Sequence, residues 1–368
     1  MQEEIARVFR IMSKRAHLYY IDGLRVLGTI AVFVYHLNDQ LITLNENYGV
    51  PLSPAAILPT KAFGIGLGQA AVALFFVISG FVLMYTTSDS RLDVSRYAKR
   101  RILDIFPFFY SAYIVAYFIV ALAGIRLIQG PLSAWKLIFT IFGLDGYLSC
   151  YPSPFSPNWY LVGEWYLGCL ILLYCFFPFI HKLQRESKLG AFLTVVGVPA
   201  IILFVTSMGA TYIDYTGYFV PGLSCFAAGS FIALKLGEKK PDAKFAAVSL
   251  LALIACSFLG SYFGKLLMPI VGIGCFGLFG WFFSKLFFSK LFNREVTALS
   301  FASRISFPFY LMHHVAIYVV TLLAMPSVVS LRSEAFVFVC ALSLSFAWGA
   351  VVLWIGSWLK SFAKKRMG

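Results

Sequence analysis

Apolar runs of about twenty residues recur along the whole chain, separated by short polar stretches rich in Lys and Arg. A bilayer's hydrocarbon core takes about 20 apolar residues per crossing helix. On that measure the pattern predicts ten transmembrane helices, approximately 22–43, 69–87, 103–125, 159–180, 191–209, 217–236, 245–263, 266–284, 305–325 and 335–359. WKLIFTIFGL, 135–144, is apolar but too short to cross, and reads as a re-entrant or interfacial helix in a long external loop, 126–158. That loop continues as DGYLSCYPSPFSPN, whose prolines suit a rigid, non-helical segment near a glycan or lipid headgroup. The fold class is therefore an all-α membrane protein, a polytopic bundle of about ten helices.

The first helix breaks its own apolar pattern. GLRVLGTIAVFVYH carries Arg25 and His36 eleven positions apart, and eleven steps of about 100° return to within roughly 20° of the start. Asp22 and Thr29 extend the same polar stripe. Arg25 alone would snorkel to headgroups, and His36 alone would be a hydrogen-bonded packing residue. A shared face is different, because hydrocarbon penalises each such group by a few kcal/mol, so the stripe must point into protein or a wet cavity. Along the axis the two residues stand roughly 16 Å apart at 1.5 Å per residue.

Charge fixes an expected orientation. With the N-terminus cytoplasmic, the basic clusters around Arg7–Arg15, Arg91–Arg101, Lys182–Lys188, Lys235–Lys244, Lys285–Arg304 and Lys360–Arg366 all fall on one side. Only Lys61, Arg126, Lys136, Lys265 and Arg332 fall on the other, which satisfies the positive-inside rule with both termini cytoplasmic. The division expected is a basic cytoplasmic segment 1–21, a transmembrane domain 22–359 and a basic cytoplasmic tail 360–368. The first twenty residues are charged and lack a small-residue cleavage site, so a cleaved signal peptide is not expected. The net charge of +14 lies in these clusters and so calls for no nucleic acid. Six of seven cysteines fall in apolar runs without paired spacing, predicting neither a disulfide framework nor a metal site.

Further polar punctuation marks a cavity. FFVISGFVL (75–83) sets Ser79 and Gly80 in mid-helix, where a small pair serves close helix approach more readily than catalysis. NWYLVGEWYLG (158–168) buries Glu164 about one and a half turns into the fourth span, a depth at which an acid needs a partner or a proton to move. SFPFYLMHH (306–314) adds Tyr310, His313 and His314, and adjacent positions point about 100° apart, so at most one histidine is expected to face a cavity with His36. YAKRRILDIFPFFY (97–110) gathers Lys99, Arg100 and Arg101 at a helix entrance, a topology signal or a phosphate-binding patch.

Taken in order, IDGLR with His36 after it, FFVISGF, RRILDIFP, NWYLVGE and SFPFYLMHH resemble the acyltransferase 3 family of integral membrane acyltransferases, which O-acylate cell-envelope sugars. The resemblance covers residues 21–314. It implies transfer from cytoplasmic acyl-CoA, commonly acetyl-CoA, to a hydroxyl of an extracytoplasmic or lipid-linked glycan, in a bacterial plasma (inner) membrane. His36 matches the family's catalytic histidine and Arg25 its paired arginine. Glu164 and Trp159 match the ends of its Trp-Ser-Leu-Ser-Val-Glu segment. Two positions depart from the family: Trp165 stands where a second Glu is common, and Asp104 where an Arg is usual, leaving Arg100 and Arg101 to meet the CoA phosphates. The stand-alone form, without a fused hydrolase-like domain, is expected.

The residues suggest a mechanism of their own. A hydroxyl needs a base to attack a thioester at neutral pH, and imidazole supplies one. His36 would take the acceptor proton or be transiently acylated, with Glu164 orienting it. Arg25, Arg100 and Arg101 would hold the donor, and Trp159, Asp22, Ser79, His313 and Tyr310 are candidates for substrate contact. Partners are acyl-CoA, a saccharide acceptor and membrane lipid. The rival reading is a proton-coupled transporter or flippase, against which stand the lack of an inverted repeat and of paired broken helices. A scaffold would leave the polar stripe unexplained.

Overall fold

A computed structural model describes residues 17–48, 60–87, 91–122, 133–148, 159, 161–163, 165–208, 219–286, 295–323 and 331–367. Helices α1 (Tyr19–Tyr48), α2 (Leu67–Thr87) and α3 (Val94–Leu122) come first, with strands β1 (Lys61–Ala62) and β2 (Ile65–Gly66) between α1 and α2. Short helices α4 (Leu137–Ile141) and α5 (Asp145–Leu148) follow, then α6 (Trp165–Glu186), α7 (Lys188–Phe192) and α8 (Val198–Met208). The remainder is α9 (Phe219–Leu236), α10 (Ala243–Phe263), α11 (Met268–Leu286), α12 (Glu295–Leu323) and α13 (Leu331–Met367).

Nine of the ten expected apolar segments are helical where described; the fourth, expected over 159–180, is helical only from Trp165, its described residues 159 and 161–163 being non-helical. Among the described residues, eight helical stretches are long and apolar enough to cross a membrane. One of them, Ala243–Leu286, contains both α10 and α11. These two fold back at Gly264, whose φ of +47° ends α10. Their antiparallel packing shows in Gly274 against Leu253 and Gly277 against Ser249. The fifth segment is broken: α7 passes into α8 through a π-turn, Leu193–Gly197. Gln184 of α6 holds that turn, donating to the Thr194 hydroxyl and to the Ala227 carbonyl of α9, both at 2.9 Å.

The stretch 135–144 forms only a 3₁₀ turn (Ala134–Lys136) and α4, too short to span, as its length requires. DGYL after it is helical rather than irregular, and that part of the expectation is corrected: Gly143, at φ +67°, turns the chain so that α5 packs on α6. The prolines beyond it lie outside the described residues. The six described cysteines are all free, and Cys150 lies outside the described residues.

Helix α2 is the hub, packing on α9, α1 and α11. Lipid tails are as apolar as leucine, so helices in a bilayer associate through close fit rather than through hydrophobicity. Glycines provide that fit. A Cβ on Gly80 would strike the Phe226 carbonyl of α9, and one on Gly229 would strike the Val77 carbonyl of α2. The two backbones are thus in direct contact at one antiparallel crossing, and Ser230 adds a hydrogen bond to the Gly80 carbonyl at 3.1 Å. On another side, Gly28 of α1 receives the ring of Phe75, and Gly68 of α2 receives Tyr35. A two-residue turn with Phe63 at φ +52° and Gly64 at φ +81° joins β1 to β2, the conformation tight hairpins favour. It seats Gly64 against Gly260 of α10.

Two outcomes follow from this packing. Gly80→Val and Gly229→Val should each destabilise the protein by about 2 kcal/mol or more, whereas Ser79→Ala, one residue along, should leave stability nearly unchanged. Thermal unfolding in detergent, read by fluorescence-detected gel filtration, checks this. Asp145 supplies the second. It is buried, and burial pushes its carboxyl up to about 6, the Thr140 hydroxyl opposing only in part. A folded-state value above the unfolded one means stability is full below pH of about 4 and falls as pH rises through about 6. Asp145→Asn should therefore unfold at a higher temperature than wild type at pH 7.5, with the gap closing at pH 4.5.

Candidate active site

Two chambers lie end to end inside the bundle. The larger, about 530 Å³, is walled by α1, α2, α3, α6, α12 and α13. Its polar lining is Arg25, Arg101, Arg304 and Lys360 against the single carboxylate of Asp104, with Ser79, Ser303 and Ser306 between. The smaller, about 60 Å³, holds His36 together with Tyr35, Gln69 and Trp165. Tyr166 and Tyr310 line both chambers. Their rings meet edge to face, centroids 5.5 Å apart at 82°, and so form the partition.

Helix α1 serves both chambers, because the eleven-residue spacing keeps Arg25 and His36 on one face. Thr29 between them is occupied, its hydroxyl donating to the Arg25 carbonyl at 2.8 Å. Asp22 lies off the cavity. Its buried carboxylate accepts from Ser300 at 3.0 Å, pairs with His17 at 2.6 Å and flanks the Arg25 guanidinium at 3.8 Å. It therefore steadies Arg25 and ties the chain before α1 to α12.

The basic motif on α3 divides. Arg101 lines the large chamber, with its guanidinium 5.7 Å from the centre of the Tyr174 ring and 2.7 Å from Asp104. Arg100 faces a separate shallow pocket of about 150 Å³, shared with Arg91, Arg96 and Thr86, which Arg101 also borders. Asp104, the position that departs from the family pattern, binds Lys360 of α13 at 2.6 Å as well. Helix α13 runs unbroken through position 360, so Lys360 is part of the chamber wall. On α12, Pro308 offers no N–H to the carbonyl of Arg304, and this loosened turn contributes Ser303, Arg304 and Ser306 to the lining.

Tyr310 and Ser79 are where a substrate-contact role requires them. Trp159 is not on either chamber's lining. Its indole N–H donates to the Ser133 carbonyl at 2.9 Å and its own carbonyl accepts from Tyr113 at 2.7 Å, which ties the chain before α6 to α3 and to the start of the 134–148 segment. Glu164 lies outside the described residues. Trp165, the other departure from the family pattern, lines the His36 chamber.

Neither His313 nor His314 is on the lining of either chamber. Both His313 and His314 stand beside His36, with ring centroids 5.3 Å and 4.2 Å from it. A 100° step separates them on α12, but His36 sits opposite the gap between the two directions, so both rings close on it. His313 is fully buried and its Nδ1 donates to the Tyr310 carbonyl at 2.6 Å. A carbonyl only accepts, so Nδ1 carries the proton and Nε2 the lone pair. The three histidines are the described residues able to hold a metal ion, their ligating atoms all within 4.8 Å of one another.

Sequence reasoning did not single out Tyr166, Tyr174, Arg304 or Lys360. Tyr166 sits inside a motif already marked by its acid, while Lys360 and Arg304 read as topology signals, for which any basic residue near a helix end suffices.

The chain matches a family model, that of an acyltransferase domain, over residues 18–355. It is 28% identical over 192 residues to acyltransferase MdmB of Streptomyces mycarofaciens, an alignment covering 51% of this chain and 46% of that protein. The chain thus spans about half the length of this curated relative. No solved structure matches. A match that takes in Arg25, His36 and every described helix from α1 into α13 leaves one assignment: the chain belongs to the acyltransferase 3 family of membrane acyltransferases.

Proposed function

We propose that the protein moves an acyl group, acetyl in the simplest case, from cytoplasmic acyl-CoA to a hydroxyl of a cell-envelope or lipid-linked glycan. The observation that carries this reading is the tyrosine partition. It puts a chamber rich in cations and a histidine chamber in contact through one wall. Four cations facing one carboxylate suit a polyanionic donor, and guanidinium groups suit its phosphates because they present forked donors. The basic end of the bundle is the cytoplasmic end under the positive-inside rule, where acyl-CoA is available.

In the reaction, Arg25, Arg101, Arg304 and Lys360 hold the donor while its acyl-pantetheine arm passes between Tyr166 and Tyr310. The acceptor hydroxyl enters the other chamber and gives its proton to His36. Its oxygen attacks the thioester carbonyl, the C–S bond breaks, and the leaving thiolate recovers the proton from the imidazolium. Asp22 is a positioning residue for Arg25. Trp165 and Gln69 lie where an acceptor sugar would stack and hydrogen-bond. A bacterial plasma membrane suits these substrates.

Purified protein in nanodiscs, supplied with radiolabelled acetyl-CoA and an envelope glycolipid extract, tests the reading. His36→Ala should lower kcat by about a hundredfold or more with donor KM little changed, the loss typical of a removed general base. Arg25→Ala should instead raise donor KM by about tenfold, the loss of a charge-assisted contact of about 1.4 kcal/mol. Label accumulating across the bilayer with no thioester consumed would overturn the assignment in favour of transport.

A further inference from the structure

Three of the chain's five histidines converge from its opposite ends, two on α12 against one on α1. One base serves the reaction proposed above, so the other two imidazoles exceed what that reaction needs. We propose that His36, His313 and His314 bind a divalent transition-metal ion of the zinc class, and that an occupied site withdraws His36 from acyl transfer. The second half rests on the proposed role of His36. The first half does not.

The ligand geometry is close to that of a bound ion. Nitrogens at about 2.1 Å from a tetrahedral zinc stand roughly 3.4 Å from one another. The three histidines already offer ligand atoms within 4.8 Å of each other, so modest ring rotations complete the set. His313 is prepared in the manner of metal-bound histidines: Nδ1–H donates to the Tyr310 carbonyl, which directs the Nε2 lone pair outward. Phe309 stacks on the same ring at 6.2 Å, only 6° from parallel, and fixes its plane. His314 is exposed and His36 half-buried, so both rings have room to turn toward a shared ion.

The ligand type selects the ion. Three imidazoles suit zinc, copper or nickel, while magnesium and calcium require oxygen ligands. The three-nitrogen set leaves a fourth position, which water or an anion would take. An imidazole coordinated to an ion has no lone pair for a proton, so metal and acceptor hydroxyl compete for His36.

The test uses the full chain purified without a polyhistidine tag. Cobalt(II), a spectroscopic substitute for zinc, should give visible d–d bands of a nitrogen-ligated tetrahedral ion, reaching saturation at about one equivalent per chain. His314→Ala changes an exposed side chain, so its fold should survive. It should weaken cobalt and zinc binding by at least about tenfold, as should His313→Ala where that buried variant is stable. Zinc should also inhibit label transfer by wild type, and about ten times more zinc should be needed in His314→Ala, each measured against its own metal-free rate. No cobalt spectrum in wild type, or one equally strong in His314→Ala, would overturn the site. Metal binding without any acyl transfer by metal-free protein would leave the site standing and remove the catalytic reading. Tight binding without inhibition would overturn the competition for His36.

Discussion

The architecture depends on the contact between the backbones of α2 and α9 at Gly80 and Gly229. In a bilayer no water is released from lipid-facing surface when two helices meet, so the depth of fit sets how strongly they hold. With no side chain at either glycine, the Val77 and Phe226 carbonyls lie against the facing backbone. That anchors the central helix and determines what its other faces present. Phe75 turns into the gap left by Gly28 of α1, while Ser79, next to the locking glycine, faces the cation-lined chamber.

Around this hub the charged groups are balanced locally. Asp22 holds His17, Ser300 and the side of Arg25, and Asp104 joins Arg101 to Lys360. Each carboxylate steadies cations that would otherwise spread into the chamber or retreat to the headgroups. The lining keeps a surplus of positive charge, the condition for holding an anion in a space with few mobile counterions. Asp104 has a consequence beyond its own pair. It recruits a lysine from the last helix, so one of the chamber's cations is supplied from another part of the fold.

The histidine chamber is built differently, from aromatic walls with little charge. Tyr166 and Tyr310 separate it from the cations, and Phe309 and the Tyr310 carbonyl orient His313. The chamber sets the His36 imidazole against Tyr35, Trp165, Tyr166 and Tyr310. Helix α12 brings two further imidazoles within reach of it.

The sequence by itself determined the helical segments, because hydrocarbon thickness imposes a run length that polar loops cannot imitate. It determined that Arg25 and His36 share a direction, because helical periodicity is local, and it placed the family motifs around them. The reversal between 245–263 and 266–284 was legible and falls at Gly264, whereas the break of the fifth segment at a π-turn was not, since it depends on neighbouring helices. The site was half legible. Arg25, Arg101, Ser79, Tyr310 and His36 stand on the chamber linings, whereas Asp22 and Trp159 serve as ties and Lys360 belongs to the wall. Only the tertiary structure decided that His313 and His314 both reach His36, that Asp104 links α3 to α13, and that two tyrosines divide the interior. Those outcomes come from contacts between residues far apart in the chain. They are set by side-chain shape and the depth of helix packing, and periodicity along one helix carries no information about them.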